Sequence, residues 1–167
     1  MKQKQTKKRI LGIDPGFGRM GWGVIEGRKD QWQYIAHGCI ETDKKKSFVE
    51  RLEILYAELS DVIKVYAPAH SAVEDLYFNK NVTTAVQVAQ ARGVILLTLS
   101  QAGLGISEVT PLQVKQAVTG YGRADKGQVQ KMVQMLLCLK EKPKQDDAVD
   151  ALAVALTCAA SLHLVHL

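Results

Sequence analysis

No stretch of this chain reaches the roughly 20 apolar residues that a membrane-spanning helix requires. The longest run, Ala151 to Leu162, stops short, and the basic start from Met1 to Arg9 is not followed by an apolar segment of signal-peptide length. A cytoplasmic protein is the expectation. Cysteine is scarce: Cys39, Cys138 and Cys158 are odd in number, widely spaced and set among apolar neighbours, which argues for reduced, buried thiols rather than a disulfide framework or a zinc site. His163 and His166 share a helical spacing but lie at the terminus with no third ligand nearby. Repeats and low-complexity linkers are missing, so the 167 residues read as a flexible basic leader, 1–8, and a single domain, 9–167.

What the chain does have is carboxylates at the ends of apolar runs: Asp14 in Ile13-Asp14-Pro15-Gly16, Glu74 in Val73-Glu74-Asp75, and Asp147 and Asp150 in Asp147-Ala148-Val149-Asp150. Each is expected at the tip of a buried element. Acids gathered there repel one another and lose hydration unless divalent cations neutralise them. Asp14 and Glu74 converge if their strands are neighbours, and Asp147 and Asp150, three apart, share a helix face. Oxygen ligands without His or Cys favour magnesium or manganese, and two such ions about 4 Å apart suit phosphodiester hydrolysis. Asp146 and Asp75 are second choices as ligands, the first as a helix-start residue favoured by the dipole, the second as a solvent-facing neighbour of Glu74.

The net charge of +5 says little by itself, because Lys2, Lys4, Lys7, Lys8 and Arg9 supply all of it. Its distribution says more. Residues 10–75 sum to −3 (8 basic, 11 acidic), 76–144 to +6 (9 basic, 3 acidic) and 145–167 to −3, so a basic middle is bracketed by the acidic segments. Such a middle suits tracking of a phosphate backbone beside a cation site, although a solvated face explains any single lysine as well.

The elements follow from periodicity. Arg9 to Asp14, Gly21 to Glu26 and Gln31 to Glu41 read as three antiparallel strands, and Phe48, Leu52, Leu55, Leu59, Val62, Ile63 and Tyr66 mark a helix from Ser47 to Tyr66. His70 to Leu76 is a fourth strand, Asn81 to Ala102 a helix, and Ile106 to Thr110 a fifth strand. Pro111 opens a further helix, another begins near Ala124, and the last runs from Gln145 to Leu164. The expected fold is α/β, a five-stranded mixed sheet flanked by helices. The Asn81 helix is apolar on more than one face, which suits a homodimer contact. Gly16-Phe17-Gly18-Arg19-Met20-Gly21 matches a dinucleotide-binding pattern in letters only, because a strand rather than a helix follows; the glycines read as a hairpin whose backbone approaches something closely, such as a phosphate near Asp14.

Taken in order, Ile10-Leu11-Gly12-Ile13-Asp14-Pro15-Gly16, Val73-Glu74, Gln90-Ala91-Arg92-Gly93-Val94, Pro111-Leu112-Gln113-Val114-Lys115 and Asp147-Ala148-Val149-Asp150-Ala151-Leu152-Ala153 resemble the bacterial RuvC Holliday-junction resolvases over nearly the whole chain. The resemblance implies a ribonuclease H-like fold, a homodimer, and magnesium-dependent paired nicks in four-way junction DNA, with two ions per site and manganese as a substitute. It implies the RuvA and RuvB branch-migration proteins as partners. It also carries the acidic tetrad onto Asp14, Glu74, Asp147 and Asp150, and turns Lys115 and Lys126 toward the scissile DNA. Arg92 and Arg123 join them as DNA-contact candidates, and Tyr77 falls where the family usually has a phenylalanine that stacks near the junction centre.

Other readings stay beside it. Asp14-Pro15-Gly16 also looks like the phosphate-facing loop of actin-like ATPases and sugar kinases, but those enclose a nucleotide between two such domains. A non-enzymatic junction-binding module and a nuclease for other branched substrates are the remaining alternatives.

Overall fold

Short β-branched and apolar segments bounded by glycine and proline alternate with long helical repeats, and the computed structural model, which describes residues 7–29, 31–75, 82–141 and 143–164, arranges them as one mixed sheet with helices on both faces. The elements are β1 (Lys8–Asp14), β2 (Arg19–Arg28), β3 (Gln31–Glu41), α1 (Phe48–Tyr66), β4 (His70–Glu74), α2 (Val82–Gln101), β5 (Gly105–Val109), α3 (Pro111–Thr119), α4 (Lys126–Leu136) and α5 (Asp146–Leu164). The strand order is β3-β2-β1-β4-β5. β1 to β3 form an antiparallel meander, whereas β4 and β5 run parallel to β1. The expected five-stranded mixed sheet is therefore the observed one.

Alternation along β1 divides the core in two. Leu11 and Ile13 point to the face covered by α1 and α2, where they join Leu55, Leu59, Ile95 and Leu99. Ile10 points to the opposite face, joining Val114 and Val118 of α3, Val129 and Val133 of α4, and Leu152 of α5. Asp14 has the parity of Ile10, and Glu74 that of Ala72, which also packs on the α5 side. Both acids thus belong to the α5 face before any detail of the site is considered.

Capping chemistry fixes the helix starts. Ser47, Thr110 and Asp125 each close a complete capping box, with Glu50, Gln113 and Gln128 respectively. The box at Asp125 places the start of α4 at Lys126, two residues beyond the expected Ala124. β2 begins at Arg19 rather than Gly21, because the cross-strand partner of Arg19 is Glu41 and the two side chains pair. All three cysteines are free thiols, but only Cys158 is buried; Cys39 is half-buried, and Cys138 is exposed in the turn after α4, a correction to the expected burial. Tyr77, His166 and most of the basic leader lie outside the described residues. No helix among the described residues is long and apolar enough to cross a membrane.

Candidate active site

Two neighbouring parallel strands deliver the first two acids. Ile13 of β1 is in register with Val73 of β4, so Asp14 and Glu74 leave the sheet side by side at its carboxyl edge, the end at which open α/β sheets place their ligands. Helix α5 brings the other two, and close approach to glycine makes this possible. A Cβ built at Gly12 would lie 2.1 Å from the Ala151 carbonyl oxygen, and one at Gly21 would lie 2.0 Å from that of Asp147. Only a residue without a side chain admits a helix backbone at that distance. Ala148, Ala151 and Ala155 are fully buried along the same helix, and their small side chains keep α5 pressed against β1 and β2. Asp147 and Asp150, in the first turns of α5, are thereby brought near enough for their charges to act on Asp14. At Gly21 the approach anticipated from the glycine motif is made by this helix backbone, and at Gly16 by the Arg19 carbonyl oxygen, 1.9 Å from a built Cβ.

The consequence is electrostatic strain concentrated on the strands. Loss of hydration, then the charges of Glu74, Asp150 and Asp147, push the Asp14 carboxyl up to about 8. Glu74 is pushed up to about 7, first by burial and then by Asp150. Burial also raises Asp150, with its hydrogen bond to Lys126 acting in the other direction. The helix acids have cations of their own. Lys126 Nζ lies 2.9 Å from Asp150 Oδ2 and 3.8 Å from Asp146, and Arg19 Nη1 lies 3.3 Å from Asp147 Oδ2. Among the described residues no cation lies within ion-pair distance of Asp14 or Glu74.

The donor set fits a hard divalent cation: four carboxylates without thiolate or imidazole, two of them raised far above the ordinary range by burial and mutual repulsion. As the side chains stand, no three acidic, imidazole or thiol groups among the described residues are set to hold one. Asp147 is turned to Arg19 and Asp150 to Lys126.

The remaining candidates divide. Lys126 opens α4 beside the acids, whereas Lys115 is half-buried on α3 and Arg123 is exposed in the turn between α3 and α4. Arg92 is engaged at the β4–β5 edge, 3.5 Å from Asp75 and hydrogen-bonded to Glu108. Asp146 and Asp75 both sit beside cations, Lys126 and Arg92, at the margin of the site. Sequence reasoning passed over Arg19. It lies inside the glycine-rich segment five residues from Asp14, and a lone cation that close to a predicted acidic site was the available signal.

A ribonuclease H-like sheet with carboxylates gathered at the ends of β1 and β4 and the start of α5 defines a class, the nucleic-acid-processing enzymes of that fold. Residues 10–158 match the family model described as crossover junction endodeoxyribonuclease RuvC. Proteins of that name from Heliobacterium modesticaldum and Rubrobacter xylanophilus are 54% and 52% identical, over 92% and 95% of this chain and 94% and 88% of their own lengths. The structure of T. thermophilus RuvC in complex with Holliday junction substrate matches with a TM-score of 0.89 and 32% identity, covering 95% of this chain and 96% of that one. At 12% identity the yeast mitochondrial resolvase Ydc2 shares the fold, with a TM-score of 0.70. The chain belongs to the RuvC family of crossover junction endodeoxyribonucleases.

Proposed function

We propose that this protein is a homodimeric Holliday-junction resolvase that cuts four-way DNA in recombination and repair by paired, symmetric, metal-dependent nicks. The observation that carries the reading is the meeting of Asp14, Glu74, Asp147 and Asp150 at one sheet edge, on a chain similar along 95% of its length to a RuvC whose structure contains a Holliday junction substrate. Asp14 would contribute to both cation positions, Glu74 to one of them, and Asp147 with Asp150 to the other. Two divalent cations, magnesium with manganese as a substitute, supply Lewis acidity toward the scissile phosphodiester when bound. Water attacks in line with the P–O3′ bond, which breaks to leave a 3′-hydroxyl and a 5′-phosphate.

The protein's own part is to hold and shield. The strand acids are fixed by the register of β1 and β4, the helix acids by the packing of α5 on glycine, and neither depends on a loop. Lys126 and Lys115 offset phosphate charge near the scissile bond, and Arg123, Arg92 and Tyr77 extend the DNA contact. Exposed Val86 and Leu97 on α2, opposite its buried Ala91, Ile95 and Leu99, support the homodimer. One domain after a basic leader, a cytoplasmic location and partnership with RuvA and RuvB complete the reading.

A synthetic mobile four-way junction, incubated with and without magnesium beside an Asp14→Asn control, tests it. Paired magnesium-dependent nicks on opposing strands, lost in the control, are expected. Equal cutting of linear duplex, or turnover of ATP without DNA, would sink the proposal.

A further inference from the structure

Arg19 carries a fixed charge into the site. It opens β2 on the α5 face and forks between two acids, with Nε 2.9 Å from Glu41 Oε1 and Nη1 3.3 Å from Asp147 Oδ2. Glu41 is held in turn by Gln145, whose Nε2 donates to the same Oε1 at 3.1 Å just before α5 begins. The fork therefore has one arm anchored on β3 and one arm on a carboxylate at the metal-site edge. A guanidinium does not lose its proton near neutral pH. Its hold on Asp147 ends when something else takes the carboxylate, and a divalent cation there would be opposed by the arginine's own charge.

We propose that Arg19 is the resident counter-ion of Asp147: it occupies this carboxylate in the cation-free protein, competes directly with the divalent cation for it, and stays tethered by Glu41 once displaced. The inference rests on the reading of the four carboxylates as the cation site. Arg19 is a positioning residue here, acting through Asp147. Its side chain is half exposed and the Glu41 anchor is independent of Asp147, so release requires only a torsional change at the guanidinium end.

Calorimetric titration with Mn²⁺ alone, without DNA, tests this on the full chain. Arg19→Gln is expected to tighten Mn²⁺ binding about tenfold, equivalent to about 1.4 kcal/mol, and Arg19→Lys to restore most of the wild-type affinity. Removal of any positive charge would favour a cation through space, so the deciding comparison is a cycle with Asp147→Asn. Direct competition predicts that most of the gain from Arg19→Gln disappears once Asp147 is Asn, leaving only the through-space part. An equal gain in both backgrounds would overturn the proposal, as would unchanged or weaker binding in Arg19→Gln alone. If wild-type protein takes up no Mn²⁺ that Asp14→Asn abolishes, the cation-site reading itself fails and this inference with it.

Discussion

Asp14 and Glu74 stand on strands, without an ion pair among the described residues, and their carboxyl groups are pushed up to about 8 and about 7, whereas Asp147 and Asp150 stand on a helix and each has a basic partner. The strand pair cannot move apart, because the register of β1 and β4 fixes where its backbone leaves the sheet, and it sheds its repulsion by holding protons. The helix pair relaxes by turning outward to Arg19 and Lys126. One half of the site thus carries the repulsion and the other half its counter-ions. On the proposed reading, a divalent cation would displace protons from the first pair and basic side chains from the second.

Cleavage should break this contrast most severely. Asp14→Asn removes the acid proposed to serve both cation positions and is expected to lower junction cutting on the order of 10⁴-fold in single-turnover assays, with junction affinity in a gel-shift measurement retained. Loss of binding with the fold intact would mean that the strand acids also organise the DNA surface. Next in size is Gly21→Ala. Its methyl group would collide with the Asp147 carbonyl oxygen, so α5 must shift away from β2, at an expected cost of about 3 kcal/mol in chemical denaturation and with weakened Mn²⁺ uptake.

Thermal unfolding against pH sharpens the same comparison. Asp14 keeps its proton in the folded state up to about 8 but loses it near 3.8 when unfolded, so between these values the native state holds the extra proton and stability falls as pH rises. Glu74 acts in the same direction between 4.5 and about 7. In cation-free buffer at pH 8, Asp14→Asn is therefore expected to melt roughly 4–8 °C above wild type, a gap that closes toward pH 4. Added Mg²⁺ should raise the wild-type midpoint but not that of the variant. Asp150→Asn also removes a raised carboxyl but leaves Lys126 without its nearest acid, so its gain at pH 8 should be smaller than that of Asp14→Asn. The smallest effect is expected from Lys126→Met, with junction affinity reduced by a few-fold and the salt dependence of binding shallower by about one phosphate contact.

Much of this architecture was legible in residue order. β3 was read from Gln31 to Glu41 and α3 from Pro111 as observed, Leu76 and Asn81, read as the end of β4 and the start of α2, lie outside the described residues, and elsewhere the ends differ by a residue or two, where short-range partners decide. Asp125 shows why: its side chain accepts from Gln128 N and terminates the loop one residue before Lys126, a distinction that periodicity does not carry. The four acids were recognisable because each closes or opens an apolar run. Their ion pairs were not. Arg19 meets Asp147 across 128 positions of sequence, through a cross-strand pairing and a helix docking that exist only once the sheet is formed. The ion pairs of Arg92 with Asp75 and Glu108 were hidden for the same reason: β5 and α2 are neighbours in space but not in sequence.

Gly12 and Gly21 contribute no group to bind or react, yet they set how near the helix acids stand to the strand acids. Tolerance to substitution should therefore be lowest partly at positions with no chemistry of their own. An exposed lysine on the proposed DNA surface can be exchanged with a graded loss, because water and neighbouring charges compensate. A hydrogen atom wedged between two backbones has no graded substitute. In a saturation screen for cleavage, these two glycines should be as intolerant as the carboxylates, and every failure at them should be a failure of spacing.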